Sequence, residues 1–457
     1  MRLLLTTFLL FLCNYLFSQD NILIKDIFIE GNKVTKEEII IRELTFKKFD
    51  KYTKNELEKK IKISKQNLTN LHLFNFIKIN TDFKENYVVI KIILTERWYV
   101  WPYPIFELAD RNFNSWIEKK DINRTNYGIF FNWENFRGKN ELVKIKFRRG
   151  YKEHYQLLYR APFINNKKTL GLQTNIEQFR RKNTHYNTKD NKLIFYNDSL
   201  NNNYTSKDYQ FSTQISLRKN INTTHLVNLS YFLSFIDSNI INLNPNYLNN
   251  DNYSGSYGKI SYKYSLEKRD YVTYPLTGHY LMFEANKYIQ HSSPVNHFEF
   301  IGKGEKHIQL KPKFFIGSSF KIKKSTSKSQ VYFSQESLGF DTYIRGYEYY
   351  VIDNQEYWIS KTIMKWEIIK NKEFDINFVK MKQFNKSYYS LYLSIFSDLG
   401  YAKNHQNHID NTLANKLLWG KGVSIDYLTY YDKLLRIEYS INHLGEKGVF
   451  LHLSNPF

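Results

Sequence analysis

The sequence predicts a mostly β protein, in which a small N-terminal α+β domain precedes a transmembrane antiparallel β-barrel of about sixteen strands. Three observations predict it. The chain opens with an export-type signal, hydrophobic residues alternate with period two from Trp98 to the end, and 17% of residues are aromatic against only eight prolines. Such a composition suits many strands.

Residues 1–18, MRLLLTTFLLFLCNYLFS, carry Arg2 and then an apolar run from Leu3 to Leu12. That run is too short to cross a bilayer as a helix, and it reads as a signal peptide cleaved before Gln19. Lipid attachment at Cys13 is disfavoured by the bulky Leu12 before it. Because Cys13 is the only cysteine, the mature chain has none, which excludes disulfides, thiolate metal sites and cysteine nucleophiles.

The mean hydropathy of -0.54 resembles that of a soluble protein. Barrels hide their membrane face from such averages by alternating it with polar residues. A formal charge of +22 raises nucleic acid as a partner. An export signal and the lack of a basic recognition helix argue against it, so no nucleic-acid partner is expected. Solvated lysines and a basic lumen account for the charge, and they would also attract the anionic headgroups of outer-membrane lipids.

Residues 19–96 predict the α+β domain. ILIKDIFIE (22–30) is a strand, Thr35 with Glu38 and Thr53 with Glu56 have capping-box spacing, and Leu57, Ile61, Ser64, Leu68 and Leu71 form one helical face. FNFIKINTDF (74–83) and NYVVIKIILTE (86–96) follow as a hairpin. The expected three-stranded sheet exposes an edge, and Phe74, Phe76, Ile77 and Ile79 mark the strand that would take an extended polypeptide by strand addition.

Residues 97–457 predict the barrel. Val143, Ile145 and Phe147 alternate with Lys144, Lys146 and Arg148, and the same pattern recurs in KISYKYSLE (259–267) and LRIEYSIN (435–442). Segments 183–206 and 236–255 are expected to be external loops. In GVFLHLSNPF, Val449, Leu451, Leu453 and the terminal Phe457 share one parity, and Leu451, Leu453 and Phe457 resemble the insertion signal of outer-membrane barrels.

The order of the N-terminal elements, with IFIEGNKVT (27–35) and NLTNLHLFNFIKI (67–79), resembles a POTRA domain. Further on come NYGIFFNWENFRGKNEL (126–142), LLYRAPF (157–163), EKRDYVTYPLTGHYL (267–281), YIRGY (343–347), MKWEI (364–368) and IFSDLG (395–400). In that order they resemble the BamA/TamA-type outer-membrane assembly factors and their two-partner secretion relatives. The resemblance implies that Arg345, with Gly346 and Tyr347, lies at the tip of a loop folded into the lumen and held there by wall carboxylates. Strand parity independently points Asp398 and Glu367 inward, with Gly400 on the same face as Asp398. Asp398 is the expected main acceptor and Glu367 a second one.

The implied function is insertion or assembly of polypeptides in the outer membrane, through the POTRA edge and a barrel seam between WPYPIFELA (101–109) and GVFLHLS (448–454). Partners would be unfolded or nascent outer-membrane polypeptides and lipids, with accessory lipoproteins left open. The N-terminal domain would sit in the periplasm. No catalysis, cofactor or metal is expected, since the sequence has no G-x-S-x-G, H-E-x-x-H or P-loop. Export of a dedicated passenger through the lumen is the alternative function. A barrel hydrolase with an external Ser/His or Asp/His site is a more distant one.

Overall fold

The computed structural model describes residues 21–108, 125–198, 203–248, 253–289, 296–328, 330–334, 338–381, 383–406 and 410–454. The signal segment and Phe457 lie outside them. Two compact units meet in the chain between Arg97 and Trp98.

The first unit contains β1 (Ile22–Glu30), α1 (Glu37–Ile41), β2 (Lys51–Tyr52), α2 (Lys54–Asn70), β3 (Phe74–Phe83) and β4 (Tyr87–Glu96). Its sheet has four strands rather than three, in the order β2-β1-β4-β3, because the short β2 adds to β1. Only β1 and β4 run parallel. Leu57, Ser64 and Leu68 of α2 are buried, as are Ile24, Val88, Ile90 and Ile92 of the sheet.

The Thr53 and Glu56 capping box forms at the start of α2. The one expected at Thr35 does not: α1 begins after Lys36 with no side-chain cap. Thr35 instead donates its hydroxyl to Glu96 Oε1 at 2.6 Å, and the same carboxylate accepts the Thr35 amide at 2.7 Å. A buried carboxylate that gathers amide and hydroxyl donors outcompetes a local cap.

β3 forms the edge opposite β2. A bulge between Phe74 and Phe76 lets Phe74 and Ile77, three residues apart, both face the core. Lys78, Asn80 and Asp82 are exposed on the other face, while Phe76 and Ile79 are half-buried.

The second unit is one antiparallel sheet of sixteen strands. It begins with β5 (Val100–Leu108), β6 (Thr125–Phe136), β7 (Glu141–Gly150), β8 (Lys152–Ala161) and β9 (Leu170–Arg181). A separate hairpin, β10 (Asn183–Lys189) and β11 (Lys192–Asn197), interrupts it. The sheet resumes with β12 (Ser206–Asn220), β13 (Thr223–Ile236), β14 (Ser254–Glu267), β15 (Gly278–Ile289), β16 (Phe298–Lys311) and β17 (Phe314–Ser325). It ends with β18 (Glu356–Asp375), β19 (Lys386–Lys403), β20 (Leu417–Thr429), β21 (Lys433–Asn442) and β22 (Lys447–Ser454). β5 and β22 are its two edges, and among the described residues no ladder joins them.

The two segments expected to be loops carry structure of their own, namely the β10–β11 hairpin and α3 (Ser238–Leu243). Ile236, Ile240, Ile241, Tyr247 and Leu248 form a small core, against which Tyr186, Tyr196, Tyr332 and Phe333 pack.

Parity sets the two faces of the sheet. In β19, Ile395 is 57% exposed while Asp398 is 0% exposed. Leu393 and Leu399 join Ile395 outside, and Tyr392, Ser394 and Phe396 lie inside. Met364 and Trp366 of β18, Ile437 and Tyr439 of β21, and Val449, Leu451 and Leu453 of β22 extend the outer apolar surface. An apolar belt across so many strands far exceeds the patches that water-soluble monomers tolerate. Lipid is the solvent that suits it.

An arginine at Ile395, near the middle of β19, should therefore destabilise the barrel by about 2–4 kcal/mol in a bilayer. Folding into lipid vesicles, read as the heat-sensitive band shift of unboiled samples, checks this. Ser394→Ala, on the inner face, should fold as the parent does.

Candidate functional site

The chain between β17 and β18 turns back into the barrel. Its base is closed by paired backbone bonds between Leu338 and Ile352, of 3.0 and 2.8 Å. Leu338, Ile344, Tyr347 and Ile352 then bury against Tyr357, Ile359, Ala402, Leu413 and Leu418. This apolar wedge fixes the loop before any charge is considered.

At the tip, Arg345 meets Asp398. Nε donates to Asp398 Oδ2 at 2.8 Å, Nη2 to Oδ1 at 2.5 Å, and the Arg345 amide to Oδ2 at 3.2 Å. The guanidinium also lies 3.8 Å from the centre of the Phe396 ring. Arg345 is 5% exposed. A planar fork on a carboxylate and a ring beneath it demand arginine rather than lysine.

The approach is close enough to constrain the wall. A Cβ at Gly420 would come within 1.7 Å of the Arg345 carbonyl oxygen, and one at Gly400 within 2.4 Å of Ile344 Cδ1. Gly346 has φ +89°, which turns the chain at the tip. The Tyr347 hydroxyl bonds His443, and Asn442 Nδ2 donates to the Gly346 carbonyl at 3.0 Å. The loop thereby reaches the last hairpin.

Glu367 does not act as a second acceptor. Its Oε1 accepts from the Tyr392 hydroxyl at 3.2 Å, and it makes no ion pair with Arg345. Parity placed Glu367 on the correct face but says nothing about height. Lys361 is the residue of β18 opposite Asp398, and Glu367 lies six residues further along, or about 20 Å. The second carboxylate near Arg345 is Glu438 of β21, 4.0 Å from Nη1 and 1% exposed.

A second plug enters from the opposite end, between β14 and β15, within the EKRDYVTYPLTGHYL segment (267–281). Its Tyr274 hydroxyl donates to Asp426 Oδ2 at 2.7 Å, and Lys365 Nζ donates to the Pro275 carbonyl at 3.0 Å. Tyr274 packs with Tyr392, Leu428 and Leu434. Arg436 forks onto Asp426 at 2.7 and 2.8 Å and lies 3.7 Å from Glu438. Between the plugs lies a cavity of about 430 Å³ whose lining includes Arg269, Lys303, Lys321, Lys361, Lys365 and Arg436. With Arg345, seven of the chain's 66 lysines and arginines line it.

The open edge has its own signature. Pro102 and Pro104 sit two apart on β5, opposite Phe131 and Ile129 of β6. Residues two apart direct their amides to one side, and proline is accommodated where that side faces away from the ladder. The edge of β5 that faces β22 thus lacks two donors. At its base, the Trp98 amide donates to the Tyr431 hydroxyl at 2.9 Å, and Trp101 meets Tyr431 edge-on.

Of the other residues singled out, Phe74 and Ile77 are core residues of the first unit, leaving the β3 backbone as its available edge. Leu451 and Leu453 lie on the outer face of β22.

Comparison with known proteins agrees with this architecture. A POTRA family model, described as a surface antigen variable number repeat, matches residues 22–97, and the Omp85 superfamily domain matches 135–442. No curated protein matches the sequence. Among solved structures, BamA from Haemophilus ducreyi lacking POTRA domains 1–3 aligns with a TM-score of 0.55 at 14% identity, covering 95% of this chain and 84% of that one. CdiB from Escherichia coli aligns with a TM-score of 0.55 at 9% identity, covering 95% and 76%.

Removing one partner of a buried ion pair costs about 3–5 kcal/mol, and less where water reaches the survivor. Arg345→Ala and Asp398→Ala should each expose the loop to protease, and the double variant should be milder than the sum of the two. Glu367→Ala should leave the loop protected. Additive losses in the Arg345 and Asp398 pair would contradict a contact between them.

Proposed function

The chain belongs to the Omp85 superfamily, and from that premise we propose that it inserts or assembles polypeptides in the outer membrane through the β3 edge and the seam between β5 and β22. The N-terminal unit then works in the periplasm and the apolar belt sits in lipid. Unfolded or nascent outer-membrane polypeptides are the substrates. The observation that carries the proposal is the unpaired edge of β5 with Pro102 and Pro104 in it. Unpaired backbone groups are costly in lipid, so a seam that lacks donors favours exchange with an incoming strand over permanent closure.

The lumen supports the same choice. It is occupied from one end by the Arg345 loop and from the other by the Tyr274 turn. Export through the lumen requires both locks to break, whereas lateral insertion requires only the seam to open. The first unit offers β3 as an edge whose backbone can pair while Phe74 and Ile77 stay in the core.

Depletion of the protein should lower the amounts of several outer-membrane barrels. Loss of one secreted passenger, with barrels unaffected, would favour export instead. Photo-crosslinkers at Lys78, Asn80 and Asp82 should capture other polypeptides during assembly, and failure at all three positions would remove β3 from the pathway.

A further inference from the structure

The network around Arg345 leaves three atoms without hydrogen bonds: Glu348 Oε1, Glu438 Oε2 and His452 Nε2. All three are buried, and they converge from the lumen loop, β21 and β22 to within 4.8 Å of one another. His452 Nε2 lies 3.3 Å from Glu438 Oε2 and 4.0 Å from Glu348 Oε1. Glu438 is 1% exposed, and its Oε2 has the His452 ring as an ion-pair partner only when that ring is protonated. Buried polar atoms are seldom left unpaired, and each such atom calls for a partner.

The other atoms of these groups are already held. Glu348 Oε2 accepts the Gly346 amide at 2.8 Å. Glu438 Oε1 faces Arg345 and Arg436 at 4.0 and 3.7 Å. The His452 ring stacks on Tyr343 with 5.8 Å between centroids. Outer partners of this kind fix ligand atoms in place and leave one lone pair on each directed inward.

We propose that Glu348, Glu438 and His452 bind one divalent transition-metal ion of the zinc type. Two carboxylate oxygens and one imidazole nitrogen form a three-ligand set with a fourth position free for water. Metal-to-ligand distances of about 2.0–2.2 Å put tetrahedral ligands about 3.4 Å apart; the His452–Glu438 separation of 3.3 Å matches this, and the His452–Glu348 separation of 4.0 Å would have to shorten on binding. The imidazole selects against magnesium and calcium, which prefer all-oxygen shells. Bound there, the ion ties the lumen loop to the last two strands, β21 and β22, a role separate from the identity of any polypeptide substrate.

The test uses the full-length folded barrel in detergent, stripped with a chelator and dialysed. Calorimetric titration with Zn²⁺ should show one site per chain, and Mg²⁺ should not compete. Glu348→Gln and His452→Gln should each weaken Zn²⁺ by more than about tenfold while the barrel keeps its heat-sensitive mobility. Should either variant fail to fold, the unaltered protein decides: Zn²⁺ should protect His452 from diethyl pyrocarbonate, read by peptide mass spectrometry. His452 modified equally with and without Zn²⁺, or affinity unchanged in both variants, overturns the proposal.

Discussion

Asp398 is a carboxylate with no exposed surface, and it is tolerable in the barrel because Arg345, 53 residues earlier in the chain, is brought to it by a loop anchored at the apolar wedge of Leu338 and Ile344. The wedge and the ion pair need one another. Without the wedge the loop would pay the entropy of thirty-odd free residues, roughly, to place one guanidinium. Without the pair, a buried charge would remain in the wall. Gly400 and Gly420 complete the arrangement by letting the loop backbone lie against the strands.

From Arg345 the interactions continue in alternating sign. Glu438 lies next to both Arg345 and Arg436, Arg436 forks onto Asp426, and Asp426 accepts Tyr274 of the opposite plug. Loops from the two ends of the barrel are thus joined through side chains of β19, β20 and β21. The wall and its contents form one electrostatic unit that reaches β22 through His452, 3.3 Å from Glu438, while no ladder joins β22 to β5 among the described residues. Rigidity is concentrated beside the place where pairing is weakest.

Much of this was legible in the sequence because alternation is a local signal. The outward set Leu393, Ile395 and Leu399 and the inward set Ser394, Phe396 and Asp398 follow from period two alone. Pairing Arg345 with Asp398 needed the order of motifs along the chain as well. What remained hidden was longitudinal. Glu367 and Glu438 both point inward, and only the register of β18, β19 and β21 shows that Glu438 is at the height of Arg345. Thr35 was lost to Glu96 for a similar reason, since a partner sixty-one residues away is invisible to a four-residue capping pattern. The prolines of β5 were readable all along, as a pair two apart in an otherwise strand-like segment.

Alternation also leaves one ambiguity that the charges resolve. Sliding β21 along β20 by two residues returns every apolar side chain to the lipid and every polar one to the lumen, so the hydrophobic pattern cannot penalise that error. In the native register Arg436 stands directly opposite Asp426. The slip would carry it about 7 Å away and strand two charges inside the wall. A fork of two hydrogen bonds therefore discriminates among alignments that the bilayer itself cannot tell apart, and the lumen serves as the folding chain's ruler.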